Sequence, residues 1–281
     1  MWGRSKGVRR WLNRSCAVVG WRGPTGAAHE RRTPCAAWTS TSHLVNGVAI
    51  MGPSGCGKSS LLHLLGGPDI PDAGIVTVDG EELGLLNETG RAHLRRRRIG
   101  YVFQFFNLVQ DFTVAENIEL PMLLAGAGRA AARRRRSELL DAMGLSETAD
   151  SSPSELSGGQ QRVAIAGALA NRPAVLLADE PTGNLDTESA RQVLGLLSAQ
   201  HDEGQTIVMV THDVRVASVA DRQLVMEDGR FTGSGTVLES TAASLAAWPP
   251  GGPDETRRAR PSRAGRASRS APTGPCCCSS S

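Results

Sequence analysis

Lys58 and Ser59 close the stretch GPSGCGKSS (52–60), whose spacing fits G-x-x-x-x-G-K-[ST]. Such a stretch can capture a polyphosphate. Gly52, Gly55 and Gly57 let the backbone take positive φ, so its N–H groups curl inward as an anion nest at the positive end of the helix that follows. Pro53, Ser54, Cys56 and Ser60 supply the rest of the turn. Lys58 then reaches β- and γ-phosphates, and the Ser59 hydroxyl is a ligand for Mg²⁺. A glycine-rich turn with a chance lysine is the alternative, but the frame argues against it. Val48 to Met51 read as a buried strand, and Leu61, Leu62, Leu64 and Leu65 as the apolar side of a helix. The chain binds a nucleoside triphosphate.

A second group of reactive side chains stands at the ends of later apolar runs. AVLLADEPTGNLD (174–186) ends a strand in two consecutive carboxylates. From a strand's C-terminal edge, Asp179 can reach Mg²⁺ through water while Glu180 reaches the attacking water. TIVMVTHD (206–213) delivers His212 to the same edge, where open α/β sheets bind their ligands. A lone His after a strand is usually structural; its place in this ordered series argues for function. Gln104 ends a third strand, Ile99 to Phe103. SELSGGQQRVAIAGAL (154–169) sets a glycine pair before an apolar helix, which makes a second anion site at a helix start.

The elements that must carry these groups are legible in outline. GIVTVDGEEL (74–83) alternates apolar and polar residues and turns at Asp79-Gly80, the pattern of an antiparallel hairpin in a side sheet. RAHLRRRR (91–98) predicts a helix whose four arginines form a solvated face. Residues 113–145 have helical spacing, with Leu139, Leu140 and Met143 on one stripe, and predict an inserted helical region.

Composition bounds the rest. No apolar run approaches the ~18 residues of a membrane helix, and Ala17 to Val19, after Arg9-Arg10, is too short for a secretory core. The net charge of +3 divides unevenly: residues 1–44 carry +7, residues 241–281 carry +4, and the centre carries −8. Basic residues confined to the flanks do not make a nucleic-acid surface, so a nucleic-acid partner is disfavoured. All five tryptophans and five of the six cysteines also lie outside 45–240. Residues 1–44 have no sustained period-2 run and read as a largely irregular basic leader; residues 241–281, rich in Pro, Arg, Ser and Cys, read as disordered. Cys278-Ser-Ser-Ser satisfies C-a-a-X only formally, since its middle positions are not aliphatic. Cys56 suits a reducing, cytosolic compartment.

In order, GPSGCGKSS, Gln104, LSGGQ (156–160), VLLADEP (175–181), NLD (184–186) and His212 resemble the Walker A, Q-loop, signature, Walker B, D-loop and H-loop of an ABC transporter ATP-binding subunit. YVFQFFNLVQDFTVAENIELP (101–121) and LLADEPTGNLD (176–186) resemble its lipoprotein-release and macrolide-export branch. The resemblance implies an α/β P-loop NTPase (RecA-like) core over 45–240, with an antiparallel side sheet and a helical subdomain at about 105–165. It implies hydrolysis of ATP to ADP and phosphate with Glu180, His212 and Gln104 as catalytic residues, and Mg²⁺ at Ser59, Gln104 and Asp179. It also implies a head-to-tail homodimer in which Ser157 and Gly159 complete the partner's γ-phosphate site, with Gly158, Gln160 and Asp186 among the nucleotide-binding residues. An integral-membrane permease of the FtsX/MacB-like type would hold the subunit at the cytoplasmic face of the membrane.

Two departures accompany the match. Gly167 stands where the family carries arginine, and a helix-interior glycine weakens the helix by about 0.5–1 kcal/mol relative to alanine. Ahead of Walker A the family places two strands and an aromatic ring that stacks on adenine; here Trp21 and Trp38 are the available rings, neither in a convincing strand. A P-loop kinase needs no LSGGQ, a chromosome-maintenance ATPase needs coiled coils for which the interval from Lys58 to Asp179 has no room, and a translation-factor ATPase carries two such domains. A regulatory cell-division-type ATPase, and an impaired product with an aberrant N-terminus, stay open.

Overall fold

The computed structural model describes residues 16–19, 47–72, 74–156 and 159–236. The apolar runs of the sequence join in one six-stranded sheet, with strands numbered in chain order. Its spatial order is β5 (Ile99–Val102), β6 (Val175–Asp179), β7 (Thr206–Thr211), β2 (Gly47–Met51), β8 (Arg222–Glu227) and β9 (Arg230–Thr236). The first five are parallel and β9 is antiparallel to β8. A parallel sheet is covered on both faces, which is why these strands read as continuous apolar runs.

Alternate residues feed two cores. Val48, Ile50, Leu177, Val208 and Val210 pack with Leu61, Leu62 and Leu65 of α1 (Lys58–Gly66). Ala49, Met51, Leu176, Ala178, Ile207 and Met209 face the other side. There they join Val163, Ile165 and Leu169 of α5 (Gln160–Leu169) and Val193 and Leu197 of α6 (Thr187–Asp202). The β8–β9 hairpin was not anticipated, although Asp228-Gly229 carries its turn signal and both residues have positive φ, 42° and 74°.

The predicted side sheet forms and gains a strand. β3 (Ile75–Val78) turns at Asp79-Gly80, φ 52° and 83°, into β4 (Glu81–Glu82). β1 (Cys16–Val19) pairs antiparallel with β3 from Cys16↔Val78 to Val19↔Ile75. This corrects the expectation of a largely irregular leader for these four residues. A quartet of apolar residues shows no alternation of its own, and its partner lies far along the chain. Trp21, Trp38 and residues 241–281 lie outside the described residues.

The helical insert consists of α3 (Val114–Leu124), α4 (Arg129–Ala142) and α5, with α3 packed on both others. Thr113 and Glu116 form a capping box at the start of α3. The arginines ending α2 (Glu88–Arg98) lie on the surface, Arg96 and Arg97 exposed, and also reach neighbouring groups. Arg95 donates to the Gly67 carbonyl that ends α1, Arg96 and Arg97 donate to the Leu124 and Ala125 carbonyls that end α3, and Arg98 pairs with Asp79. Cations at helix C-termini satisfy the last carbonyls and oppose the negative end of the helix dipole.

Candidate functional site

The phosphate loop leaves β2 under the tightest steric constraint in the site. A Cβ on Gly52 would lie 2.1 Å from the Met226 carbonyl oxygen, so only glycine lets the turn pass β8. At the other end Gly57, φ 103°, is the left-handed N-cap of α1. Lys58 is buried, and its ammonium donates to the Gly52 and Pro53 carbonyls at 2.8 and 2.9 Å, 4.0 Å from the Cys56 sulfur. The charge is thereby held at the centre of the loop, beside first-turn N–H groups that have no acceptor within the helix. Ser54 and Gly55 are exposed at the rim, Ser60 is half-buried, and Ser59 is exposed facing the end of β6.

Ser59 Oγ donates to Asp179 Oδ1 at 3.2 Å, linking the loop to the end of β6. Burial pushes the Asp179 carboxyl above its usual range, the Ser59 hydroxyl opposes that shift, and the neighbouring Glu180 charge adds to it. A hydroxyl and a carboxylate are hard oxygen donors. Among the described residues no group of three or more His, Cys, Asp or Glu side chains is placed to hold a metal. The pair fits a hard divalent cation that completes its shell with water and phosphate oxygens.

Glu180 follows in the left-handed region, φ 45°. Its N–H still bonds the Val210 carbonyl at 3.0 Å, extending the β6–β7 ladder by one step before the chain turns back through the Gly183 N–H to Glu180 carbonyl bond. A non-glycine residue in this region costs about 1–2 kcal/mol, and the ladder and turn hold it there. The turn aims the side chain across the sheet edge, where Glu180 Oε1 meets His212 Nδ1 at 3.0 Å. Gln104 arrives from β5: its carbonyl accepts from Asn184 Nδ2 at 2.9 Å, and its side-chain amide lies beside Gly183. Lys58, Ser59, Asp179, Glu180, His212 and Gln104 thus converge at the C-terminal edge of β2, β5, β6 and β7.

Ser157 and Gly158 lie outside the described residues. Gly159 is the N-cap of α5, and the Gln160 amide donates to the Pro153 carbonyl. Among the described residues no hydrogen bond or ion pair joins them to the phosphate loop. Asp186 caps α6, accepting from the N–H groups of Glu188 and Ser189 and from the Ser189 hydroxyl. The Ser189 bonds hold its carboxyl below the usual range. Tyr101, which the sequence did not single out, stacks on Phe103 at 4.2 Å between ring centroids. Its buried hydroxyl is raised first by burial and then by the Asp179 charge.

A P-loop, paired carboxylates and a histidine on one edge of a parallel sheet define a nucleoside-triphosphate hydrolase of the P-loop class. A family model described as ABC transporter matches residues 43–183, and the chain belongs to that family as an ATP-binding, ATP-hydrolysing subunit. An uncharacterized ABC transporter ATP-binding protein of Thermotoga maritima is 47% identical over 187 residues, 66% of this chain and 80% of that protein. The lipoprotein-releasing system ATP-binding protein LolD of Psychrobacter arcticus is 46% identical over 187 residues, 66% of this chain and 83% of that one. The ATP-binding cassette MJ0796, solved as a dimer in a post-hydrolysis state bound to ADP and Pi, superposes with a TM-score of 0.67 at 34% identity, covering 79% of this chain and 97% of that chain. The cbiO1 protein of Clostridium perfringens, part of the cbiONQ complex, gives 0.70 at 27% identity over 82% and 91%. Among the described residues no helix is long and apolar enough to cross a membrane.

Proposed function

We propose that the chain works as a head-to-tail homodimer that drives a separate permease of the FtsX/MacB-like type, in the lipoprotein-release branch of its family. The 46% identity to LolD supports the branch, and the dimer of MJ0796 with ADP and Pi supports the assembly. Gly52 to Ser60 of one protomer cradle the phosphates of ATP. Ser157 to Gln160 of its partner close over the γ-phosphate, and Asp186 stands at the junction. Ser59 and Asp179, with Gln104 at the margin, would hold Mg²⁺, which would supply positive charge to the phosphates. Glu180 orients the attacking water and takes up its proton, and His212 holds the Glu180 carboxylate in that direction.

One observation carries the catalytic assignment: Glu180, in a left-handed turn, is aimed at His212 one residue from the Ser59–Asp179 pair. The permease assignment is supported by a cavity of about 270 Å³ between β5 and the helical insert, lined by Phe103, Phe106, Val109, Leu120 and Leu124 among others. Phe105 and Leu124 are 73% and 58% exposed beside it, an apolar seat suited to a short amphipathic helix. Such docking would hold the subunit at the cytoplasmic face of the membrane. Residues 45–240 form the working domain, with its helical part at about 105–165.

Co-expression with an FtsX/MacB-type permease tests this reading. The tagged chain should carry the permease through detergent purification, and hydrolysis by the complex should exceed that of the chain alone. Leu124→Asp should lose the permease and keep the basal rate. Full recovery of the permease by that variant, or a hydrolysis rate indifferent to the permease, overturns the assignment.

A further inference from the structure

The loop that follows Gln104 is fixed at both ends by asparagine side chains. At its start Asn184 Nδ2 donates to the Gln104 carbonyl at 2.9 Å, from the turn that begins at Glu180. At its end Asn117 of α3, only 8% exposed, accepts from the Val109 N–H at 2.8 Å and donates to the carbonyls of Val109, Phe112 and Thr113 at 3.0, 3.2 and 3.0 Å. The amide answers both the N–H and the C=O of Val109, as a neighbouring strand would. Only a side chain that both donates and accepts can do so. Between the clamps, Phe106 and Asn107 are successive left-handed residues, φ 62° and 51°. Side chains adopt that conformation when the flanking chain dictates it.

We infer that Asn184 and Asn117 are positioning residues for hydrolysis: Asn184 seats Gln104 against the catalytic turn, and Asn117 ties the other end of the same strained loop to α3. A shift of α3 is then passed to Gln104 instead of being absorbed by slack in the loop. This rests on the role proposed above for Gln104. Neither asparagine is among the residues assigned to phosphate or metal.

Steady-state ATP hydrolysis by Asn184→Ala, Gln104→Ala and the double variant tests the inference, with thermal unfolding of each as a control. Asn184 is exposed, so its variants should unfold at the parental temperature. Asn184→Ala should lower kcat on the order of tenfold, about what loss of one hydrogen bond allows, at unchanged KM for ATP. Combined with Gln104→Ala it should cause no further fall, because it acts through that residue. Asn184→Asp, the same shape without the donor, should match Asn184→Ala, and Asn184→Ser, which keeps a donor, should recover part of the rate. Asn117→Asp retains one acceptor and loses three donated bonds; amide exchange over residues 105–112 should rise with a matching fall in kcat. The inference is overturned by a parental rate in Asn184→Asp, by multiplicative losses in the double variant, or by a raised KM at unchanged kcat. A parental rate in Gln104→Ala overturns the role of Gln104 itself and this inference with it, which separates the two failures.

Discussion

His212 Nδ1 lies 3.0 Å from Glu180 Oε1, and the register of two parallel strands sets that distance. Asp179 pairs with Val210 across β6 and β7, and the next ladder bond runs from the Glu180 N–H to the Val210 carbonyl. In that register Glu180 stands opposite Thr211, and His212 follows one residue further along the adjacent strand, within reach of the carboxylate that the left-handed turn swings across. Glu180→Gln keeps the size of the side chain and removes the charge that orients water. Turnover should fall by about 10²-fold or more while ATP is still bound. In size-exclusion chromatography with ATP the variant should run as a dimer that the parent forms only transiently. A parental hydrolysis rate would show that another group handles the water.

Lys58 fails differently. Its buried ammonium is bonded to the Gly52 and Pro53 carbonyls, so it organises the loop before any phosphate arrives. Lys58→Ala removes the positive charge and leaves two inward-facing carbonyls, which repel an anion. Equilibrium binding should show loss of ATP affinity itself, in contrast with Glu180→Gln. Unchanged affinity would place the phosphates elsewhere.

The catalytic edge was legible in the sequence because each of its residues ends an apolar run, and a parallel strand announces itself by such a run. Gln104, Asp179, Glu180 and His212 needed no knowledge of which strands were neighbours. Residues whose partners are remote were not legible. Asn184 meets Gln104, Asn117 folds a loop onto its own helix, and Arg96 and Arg97 reach the end of α3. Asparagine and arginine carry no periodicity that betrays such bonds. β1 failed for a related reason: four apolar residues pair with β3 only because β3 offers an open edge. The left-handed turn at Glu180 had no sequence signal, since glutamate is not a residue that favours positive φ.

Gly167 supplies a stability prediction. It lies within α5, and a Cβ added there would meet only the Asn117 carbonyl oxygen, at 3.6 Å, an ordinary van der Waals contact. Nothing in the packing requires glycine. Gly167→Ala should therefore stabilise the chain by about 0.5–1 kcal/mol through the helix alone, read as a rise in the denaturant midpoint at constant slope. A destabilised variant would reveal that α3 and α5 cannot separate by the small amount a methyl group needs.

The last prediction concerns the start of α5, proposed above as a second anion site, where among the described residues no hydrogen bond or ion pair reaches the phosphate loop. Gly159 caps the helix and the Gln160 amide is spent on Pro153, while the bonds of the phosphate loop within its own chain run from Lys58 to its carbonyls and from Ser59 to Asp179. In the proposed homodimer this helix start faces the nucleotide of the other copy. Lys58→Ala disables one half of each composite site and Ser157→Arg disables the other half, so each variant alone has no intact site. A heterodimer of the two has one site built from both intact halves. Hydrolysis should therefore be near zero for either variant and should return in the mixture, to about half the parental rate per heterodimer and about a quarter for a randomly paired equimolar mixture if the sites act independently. Mixing ratios should trace the heterodimer population, maximal at equimolar chains. An inactive mixture in which differently tagged chains co-purify would show that the signature does not complete the partner's site, or that one intact site cannot fire without the other. A Glu180→Gln chain paired with the parental chain distinguishes these, because it retains both nucleotide sites and leaves one of them able to hydrolyse.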